Sequence, residues 1–143
     1  MGSPIQIKGS SFSDTRGKLH FFNSFDMGEI VRLYEISPAD TQTVRAWQGH
    51  QNEKKWLYCN AGAFVVHLVK LDNANLPSPD VPSEKYLLEA KYPMILEIPG
   101  GYANGFKATE EGSKLLVFSN FGLEKSKKDD FRYPVEQWEV DWE

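Results

Sequence analysis

Three ionisable residues suited to acid–base chemistry fall within residues 43–62, TVRAWQGHQNEKKWLYCNAG. His50 belongs to the residue type that titrates near neutral pH, and Arg45 and Lys55 place positive charges before and after it. This combination suits a polyanionic ligand with an acidic carbon–hydrogen bond, because an imidazole can take the proton while cations hold the anion. A structural alternative stays open, in which His50 caps a turn and both cations face solvent.

Residues 98–106, IPGGYANGF, form a second polar stretch of strand composition that is broken by glycines. We expect residues 43–62 and 98–106 to be the facing walls of one pocket. Because side chains alternate along a strand, Gln48 and His50 share one face, and Arg45 points the other way unless a bulge redirects it. The side chains expected to bind substrate in these two stretches are Arg45, Trp47, Gln48, Tyr102 and Asn104.

Short segments rich in β-branched and aromatic residues recur at roughly 8–12-residue spacing with turn signals between them, which predicts an all-β fold. The continuous apolar run of residues 63–71, AFVVHLVKL, predicts a strand buried on both faces. Residues 125–130 are predicted to be an exposed charged loop, and the tail from residue 134 a helical turn or an arm packed by Trp138 and Trp142. A double-sheet barrel of this size is the jelly roll of the cupins.

The totals restrict the class of protein. At 143 residues we expect one domain spanning 1–143, and the net charge of −4 argues against nucleic acid or anionic lipid as a partner. No apolar run approaches the ~20 residues of a membrane helix, and the first residues lack the apolar centre of a signal peptide. The single cysteine, Cys59, is expected to be a core residue and fits a reducing, cytoplasmic location.

The predicted pocket is a poor metal site. Metal-binding cupins use a His-x-His pair and an acid on one hairpin and a further histidine on a second, whereas this chain offers Gln48, His50, Glu53 and Asn104. One imidazole, one carboxylate and two amides suit zinc or iron badly, so we expect no metal and no other cofactor. A metal-dependent oxygenase of the same fold stays open as an alternative that requires bound metal.

Four motifs in a fixed order carry a family resemblance. They are SDTRG at residues 13–17, RAWQGH at 45–50, KWLYC at 55–59 before a glycine turn, and IPGGYANGF at 98–106. Together they resemble the dTDP-4-dehydrorhamnose 3,5-epimerases and the dTDP-4-keto-6-deoxyhexose 3,4-ketoisomerases, from about residue 12 to residue 121. The resemblance implies a cupin-type jelly roll that is usually a homodimer and that moves a proton on a nucleotide-linked 4-keto sugar without a metal.

The same resemblance implies roles for individual residues. Arg45 matches an arginine that contacts the substrate or its phosphates, and Lys55 matches a lysine near the keto oxygen. His50 matches the second histidine of the ketoisomerase R-G-x-H-A-H pattern, which is a candidate base. Arg16 matches an arginine that binds the nucleotide, often from the dimer mate.

The chain also departs from the family pattern. The epimerase base falls on Gln48, whose amide cannot accept a proton near neutral pH. The histidine of the family's glycine turn is Asn104, the acid that supports the base falls near Lys70, and the catalytic tyrosine falls on Phe121. An orthodox 3,5-epimerase is therefore not expected.

Two functional hypotheses follow. The first is a divergent isomerase or epimerase acting on a nucleotide-linked 4-keto-6-deoxy sugar for surface-polysaccharide biosynthesis, with His50 and Lys55 as catalytic residues. The second is a catalytically degenerate cupin that binds a sugar or nucleotide sugar without turnover. Whether the protein is an enzyme stays open at this point.

Overall fold

Antiparallel strands dominate the computed structural model, which describes residues 2–143. In chain order the strands are β1 Ile5–Lys8, β2 Ser10–Asp14, β3 Gly17–Phe21, β4 Arg32–Ile36, β5 Arg45–His50, β6 Lys55–Ala61, β7 Ala63–Lys70, β8 Ser83–Glu89, β9 Met94–Ile98, β10 Tyr102–Ala108, β11 Lys114–Ser119 and β12 Phe131–Arg132. A short helix, α1, spans Leu123–Lys127, and a 3₁₀ turn spans Val135–Gln137. The predicted all-β fold is confirmed.

Ten of these strands form two five-stranded sheets. The first sheet has the order β1-β9-β6-β11-β4, and the second has the order β12-β5-β10-β7-β8. Strands β2 and β3 form a separate hairpin. Successive strands often lie in different sheets, as β5 and β6 do, which is the arrangement that closes a jelly roll around a shared interior.

The main core lies between the sheets, and a second apolar cluster covers the outer face of the second sheet. Phe64, Val66 and Leu68 of β7 point into the main core, whereas Val69 belongs to the outer cluster. Both faces of β7 are therefore covered, which confirms the prediction from its continuous apolar run.

The C-terminal tail supplies most of the outer cluster. Trp138 is buried, and its ring lies edge-on to Trp47 with centroids 5.1 Å apart, while Trp142 lies 5.4 Å from Trp47. Gly105 permits this approach, because a Cβ atom at that position would lie 2.8 Å from the Trp142 ring. The predicted arm packed by the two tail tryptophans is confirmed.

The prediction of an exposed charged loop at residues 125–130 is correct only in part, because Lys125, Lys127 and Lys128 are exposed but two of the other residues are not. The segment contains the end of α1, and the side chains of Ser126 and Asp129 are buried. A run of charged residues usually indicates solvent exposure. Here the Asp129 carboxylate accepts a hydrogen bond from the main-chain N–H of Gln51, and the Ser126 hydroxyl donates one to Glu53, so both side chains are buried with a partner.

Candidate functional site

A cavity of about 930 Å³ lies between the two sheets. One side is formed by β5 and β10 of the second sheet, and the other by β4, β6 and β11 of the first. The segment from α1 to residue 133 closes part of the rim with Ser126, Lys127, Asp130 and Arg132. The cavity is large enough for a small organic ligand.

The prediction that residues 43–62 face residues 98–106 is correct for β6, which lies across the cavity from β10, and wrong for β5. Strands β5 and β10 are neighbours in one sheet, with Tyr102 opposite His50 and Phe106 opposite Arg45. The chain crosses from one sheet to the other between β5 and β6, so residues 43–62 supply both walls themselves. The sequence showed which segments carry polar residues but not which of the two sheets each segment joins.

A bulge in β5 decides which side chains reach the cavity. Asn104 pairs with Gln48 and Gly105 pairs with Ala46, so Trp47 is an extra residue in β5. The bulge interrupts simple alternation, and Arg45 and Gln48 both line the cavity. Trp47 also lines it, but its indole Nε1 donates to the Val135 carbonyl at 3.1 Å within the outer cluster.

Lys55 is a buried cation in the cavity wall. Only 4% of its surface is exposed, and its Nζ donates to the hydroxyl oxygen of Tyr34 at 3.1 Å and to Gln48 Oε1 at 3.0 Å. Both partners are neutral, and none of the ion pairs within residues 2–143 includes Lys55. Burying a charge without an opposite charge is costly, so this position is suited to an anionic ligand.

The other charged residues along the cavity are mostly cations. They are Arg32, Arg45, Lys127 and Arg132, and the single carboxylate among the lining residues is that of Asp130. Asp130 Oδ1 receives hydrogen bonds from Arg132 Nε at 2.8 Å and from Gln48 Nε2 at 3.1 Å. Burial raises the pKa of Asp130, but the hydrogen bonds from Arg132 and Gln48 and the Arg132 charge together outweigh burial. The pKa therefore lies below its ordinary value of 3.8. The cavity is therefore positive although the whole chain is negative.

His50 lies outside the set of lining residues. Its ring is buried, and Nδ1 lies 2.6 Å from the main-chain oxygen of Asp129, which can only accept a hydrogen bond. Nδ1 therefore carries the proton, and the buried Nε2 has no hydrogen-bond partner in the described residues. Burial and the nearby Lys55 charge lower the pKa of His50 below 6.5, against the opposing effects of the Asp129 carbonyl and the Glu53 carboxylate. This is the protonation state of a base, but the ring does not contact the cavity.

Two buried carboxylates near His50 were not predicted as site residues. Glu53 is 1% exposed and accepts hydrogen bonds from Ser119 Oγ at 2.6 Å, Ser126 Oγ at 2.6 Å and Arg32 at 3.1 Å. The Asp129 carboxylate accepts the main-chain N–H groups of residues 51, 52 and 53 at 2.8–2.9 Å. These partners are up to 78 residues apart in the sequence, and no local pattern announces them.

The structure places five of the eight predicted site residues along the cavity and the other three elsewhere. Arg45, Gln48, Lys55 and Asn104 line the cavity beside Trp47, whose indole is engaged elsewhere. Tyr102 is buried in the main core, and Arg16 lies at the tip of the β2–β3 hairpin, 85% exposed and paired with Asp14 at 2.6 Å. What each of these residues does for a ligand stays a prediction.

Within residues 2–143 no group of three or more His, Cys, Asp or Glu side chains is arranged to hold a metal ion. The Cys59 thiol is buried and its pKa is raised to about 11 by burial, so it is a core residue as expected. In the same part of the chain, no helix has the length and apolar character needed to cross a membrane.

The two sheets and the cavity between them define a cupin-type jelly roll. The sequence matches no protein-family model and no curated protein. The WlaRB TDP-quinovose 3,4-ketoisomerase of Campylobacter jejuni has a similar structure, with 22% identity over 96% of this chain and 98% of that one and a TM-score of 0.69.

Two further solved structures extend the comparison. The QdtA 3,4-ketoisomerase of Thermoanaerobacterium thermosaccharolyticum, crystallised with TDP, shows 22% identity over 94% of this chain and 91% of that one, with a TM-score of 0.70. The RmlC epimerase of Mycobacterium tuberculosis shows 16% identity over 98% of this chain and 74% of that one, with a TM-score of 0.80. At these identities the similarity establishes the fold, and the cupin-type jelly roll expected from the motifs is confirmed.

Proposed function

We propose that the protein binds a nucleotide-linked 4-keto-6-deoxy sugar in this cavity and isomerises the sugar by proton transfer without a metal. The observation that carries the proposal is the buried Lys55 ammonium, which meets only neutral oxygen atoms in a cavity with one carboxylate and five cations. A diphosphate supplies negative charge for the other cations, and the enolate oxygen formed from a 4-keto group supplies it for Lys55. A 4-keto group supplies a carbon–hydrogen bond that is acidic enough to be broken near neutral pH.

The lining divides into parts that match such a ligand. Arg45 and Lys127 are proposed to meet the phosphates, while Lys55 is proposed to hold the oxygen that becomes negative when the proton leaves. Apolar side chains that include Leu57 and Phe106 offer a surface for the deoxy carbon of the sugar. Gln48 and Asn104 are placed to hydrogen-bond with hydroxyl groups.

Structural neighbours support this substrate class. QdtA has been crystallised with TDP-4-keto-6-deoxyglucose as well as with TDP, and a 3'-monoepimerase of Streptomyces bikiniensis with dTDP-quinovose. We extend the proposal to a cytoplasmic role in surface-polysaccharide biosynthesis, in line with the motifs that resemble this family.

We also propose that the protein is a homodimer. Phe12 and Leu19 pair across the β2–β3 hairpin, and each is more than half exposed. A two-stranded hairpin is marginally stable on its own in water, so an apolar hairpin surface favours packing against a second copy. Arg16 at the tip would then be available to the cavity of the partner.

Sedimentation equilibrium tests the dimer. The wild-type protein is expected to sediment with the mass of two chains, and the double variant Phe12→Ser/Leu19→Ser with the mass of one. A wild-type protein that sediments as one chain at micromolar concentration contradicts this part of the proposal.

Hydrogen exchange tests the activity. Incubation with dTDP-4-keto-6-deoxyglucose in deuterated water, followed by NMR, is expected to show deuterium uptake at the C3 position of the sugar well above the rate without protein. Calorimetric titration with dTDP measures binding separately. Absence of both exchange and dTDP binding refutes the proposal.

One observation favours the second candidate, a cupin that binds a nucleotide sugar without turnover. The imidazole of His50, the expected proton carrier, is buried outside the lining of the cavity. If this second candidate is correct, calorimetry detects dTDP binding, but dTDP-4-keto-6-deoxyglucose takes up no deuterium.

A further inference from the structure

Asp130 is a proton acceptor in a cavity that otherwise contains none. The other titratable lining side chains are tyrosines, lysines and arginines, which are residue types that hold their protons at neutral pH in short peptides. The lowered pKa of Asp130 leaves its carboxylate ionised at neutral pH. If the sugar in the proposed function loses a proton inside the cavity, this carboxylate is the group in position to receive it.

The surroundings of Asp130 hold the carboxylate in place while leaving part of it open. Oδ1 accepts the two shorter hydrogen bonds, from Gln48 Nε2 and Arg132 Nε. Oδ2 accepts a longer hydrogen bond of 3.3 Å from Arg132 Nη2. The side chain remains 31% exposed. A carboxylate that is held in place and still partly exposed can reach a ligand in the cavity, which is the first requirement for proton abstraction.

Gln48 connects this carboxylate to the buried cation. Its Oε1 accepts from Lys55 Nζ and its Nε2 donates to Asp130 Oδ1, which determines the orientation of the amide. Lys55 and Asp130 form no ion pair with each other, so neither charge neutralises the other directly. One amide therefore separates a positive group from a negative group along the same wall.

We propose that Asp130 is the catalytic base of the isomerisation, with Lys55 holding the enolate oxygen and Gln48 keeping the two groups apart. This inference rests on the proposed function. The bond between hydrogen and the carbon beside the keto group breaks, and the proton passes to Asp130. The electron pair forms the carbon–carbon double bond of the enolate, and the negative charge on oxygen meets the Lys55 ammonium. The hydroxyl proton on the adjacent carbon passes to the former keto oxygen, and the proton on Asp130 returns to the former keto carbon. The carbonyl has then moved by one position, and the carboxylate is restored.

Three titratable groups lie around Asp130. Arg132 contacts it directly from β12, the His50 side chain influences it from the end of β5, and Lys55 lies beyond Gln48 on β6. The Arg132 guanidinium favours the ionised carboxylate and so lowers its strength as a base. The Lys55 ammonium is proposed to hold the enolate, which favours the product of the proton transfer.

The variant Asp130→Asn tests the proposal because an asparagine oxygen can still accept from Gln48 and Arg132 while the charge is lost. We expect deuterium uptake by dTDP-4-keto-6-deoxyglucose to fall at least ~100-fold, the range typical of a lost general base. Affinity for dTDP should change by no more than about threefold, and circular dichroism should match the wild type. Asp130→Glu is expected to recover part of the exchange.

The matched control is Glu136→Gln, which removes an exposed carboxylate from the 3₁₀ turn and should exchange at the wild-type rate. Exchange by Asp130→Asn within about threefold of the wild type overturns the assignment and leaves the proposed function standing. Loss of exchange in His50→Gln together with its retention in Asp130→Asn assigns the proton to His50 and also overturns it. A wild-type protein that binds dTDP but exchanges no hydrogen overturns both the isomerase and this role.

Discussion

The imidazole of His50 donates its Nδ1 proton to the main-chain oxygen of Asp129 across 2.6 Å. The same bond fixes the tautomer of the ring and attaches the end of β5 to the segment that follows α1. Because the Asp129 carboxylate also accepts three main-chain N–H groups from residues 51–53, one residue determines the geometry of the turn between β5 and β6. That turn carries the chain from one wall of the cavity to the other.

NMR titration of His50 should show a pKa below 6.5 and an Nδ1–H tautomer at pH 7. Burial is the main cause of the lowered pKa and the charge of Lys55 the second. Lys55→Met should therefore raise the pKa of His50, and Lys91→Met, which removes an exposed lysine, should leave it unchanged. A pKa above 6.5 in the wild type contradicts this account of the ring.

Asp129→Ala should loosen the turn between the two walls. The variant removes three charge-assisted acceptors, so the amides of residues 51–53 should exchange with solvent at least ~10-fold faster, and the free energy of unfolding should fall by roughly 2 kcal/mol. Hydrogen exchange followed by mass spectrometry and urea unfolding measure the two effects. Asp80→Ala, in an exposed loop, is a suitable control. Unchanged protection at residues 51–53 would show that the carboxylate does not hold the turn.

Local composition was sufficient to predict most of the strands. The apolar run in residues 63–71 predicted β7 and its burial on both faces. Hydrophobic pattern succeeds in these cases because burial on one or both faces of a sheet depends on the residues of that strand.

The cavity depends on relationships that no local pattern contains. The bulge that brings Arg45 and Gln48 to the same cavity follows from the pairing of β5 with β10. The buried Glu53 depends on hydrogen bonds from two serines that lie 66 and 73 residues further along the chain. The sequence therefore identified several lining residues by type but could not assign His50 to the interior of the wall. It also gave no reason to select Asp130 from a charged run.

Stability should decline as the pH falls below 6.5. The pKa values of His50 and His67 are both lowered, mainly by burial, so the unfolded chain binds more protons than the folded one below the ordinary histidine pKa. Their contribution is complete above pH 6.5 and is lost as the pH falls towards the folded-state values. Each histidine adds a slope of at most about 1.4 kcal/mol per pH unit.

Urea unfolding between pH 5 and pH 8 measures this dependence. His67 bonds to Ser83 and to the Asp141 carbonyl, so His67→Gln should keep the fold and remove part of the slope. A free energy of unfolding that is flat from pH 7 to pH 5 in the wild type would falsify the linkage.

Glu53→Gln should destabilise the protein strongly. The carboxylate is buried and receives two serine hydroxyls and Arg32, and an amide cannot accept at both of its terminal atoms. Breaking a buried ion pair from one side leaves a cation unpaired, so the free energy of unfolding should fall by roughly 3 kcal/mol. Glu89→Gln, which alters a half-buried surface pair with Lys91, should cost less than about 1 kcal/mol. Equal effects of the two variants would contradict the role assigned to the buried carboxylate.

Lys55→Met should separate stability from ligand binding. The ammonium is 4% exposed and meets only Tyr34 and Gln48, so removing its charge removes a desolvation cost, and the free energy of unfolding should stay the same or rise by about 1 kcal/mol. Affinity for dTDP-4-keto-6-deoxyglucose should fall at least ~10-fold, because Lys55 is proposed to bind the keto oxygen and a hydrogen bond to a charged group contributes about 1.5–3 kcal/mol. Lys91→Met, which removes the charge of an exposed lysine, should change neither quantity. A Lys55→Met variant that is destabilised and binds dTDP-4-keto-6-deoxyglucose as tightly as the wild type would mean that this cation supports the fold. The cavity would then need another explanation for its unpaired charge.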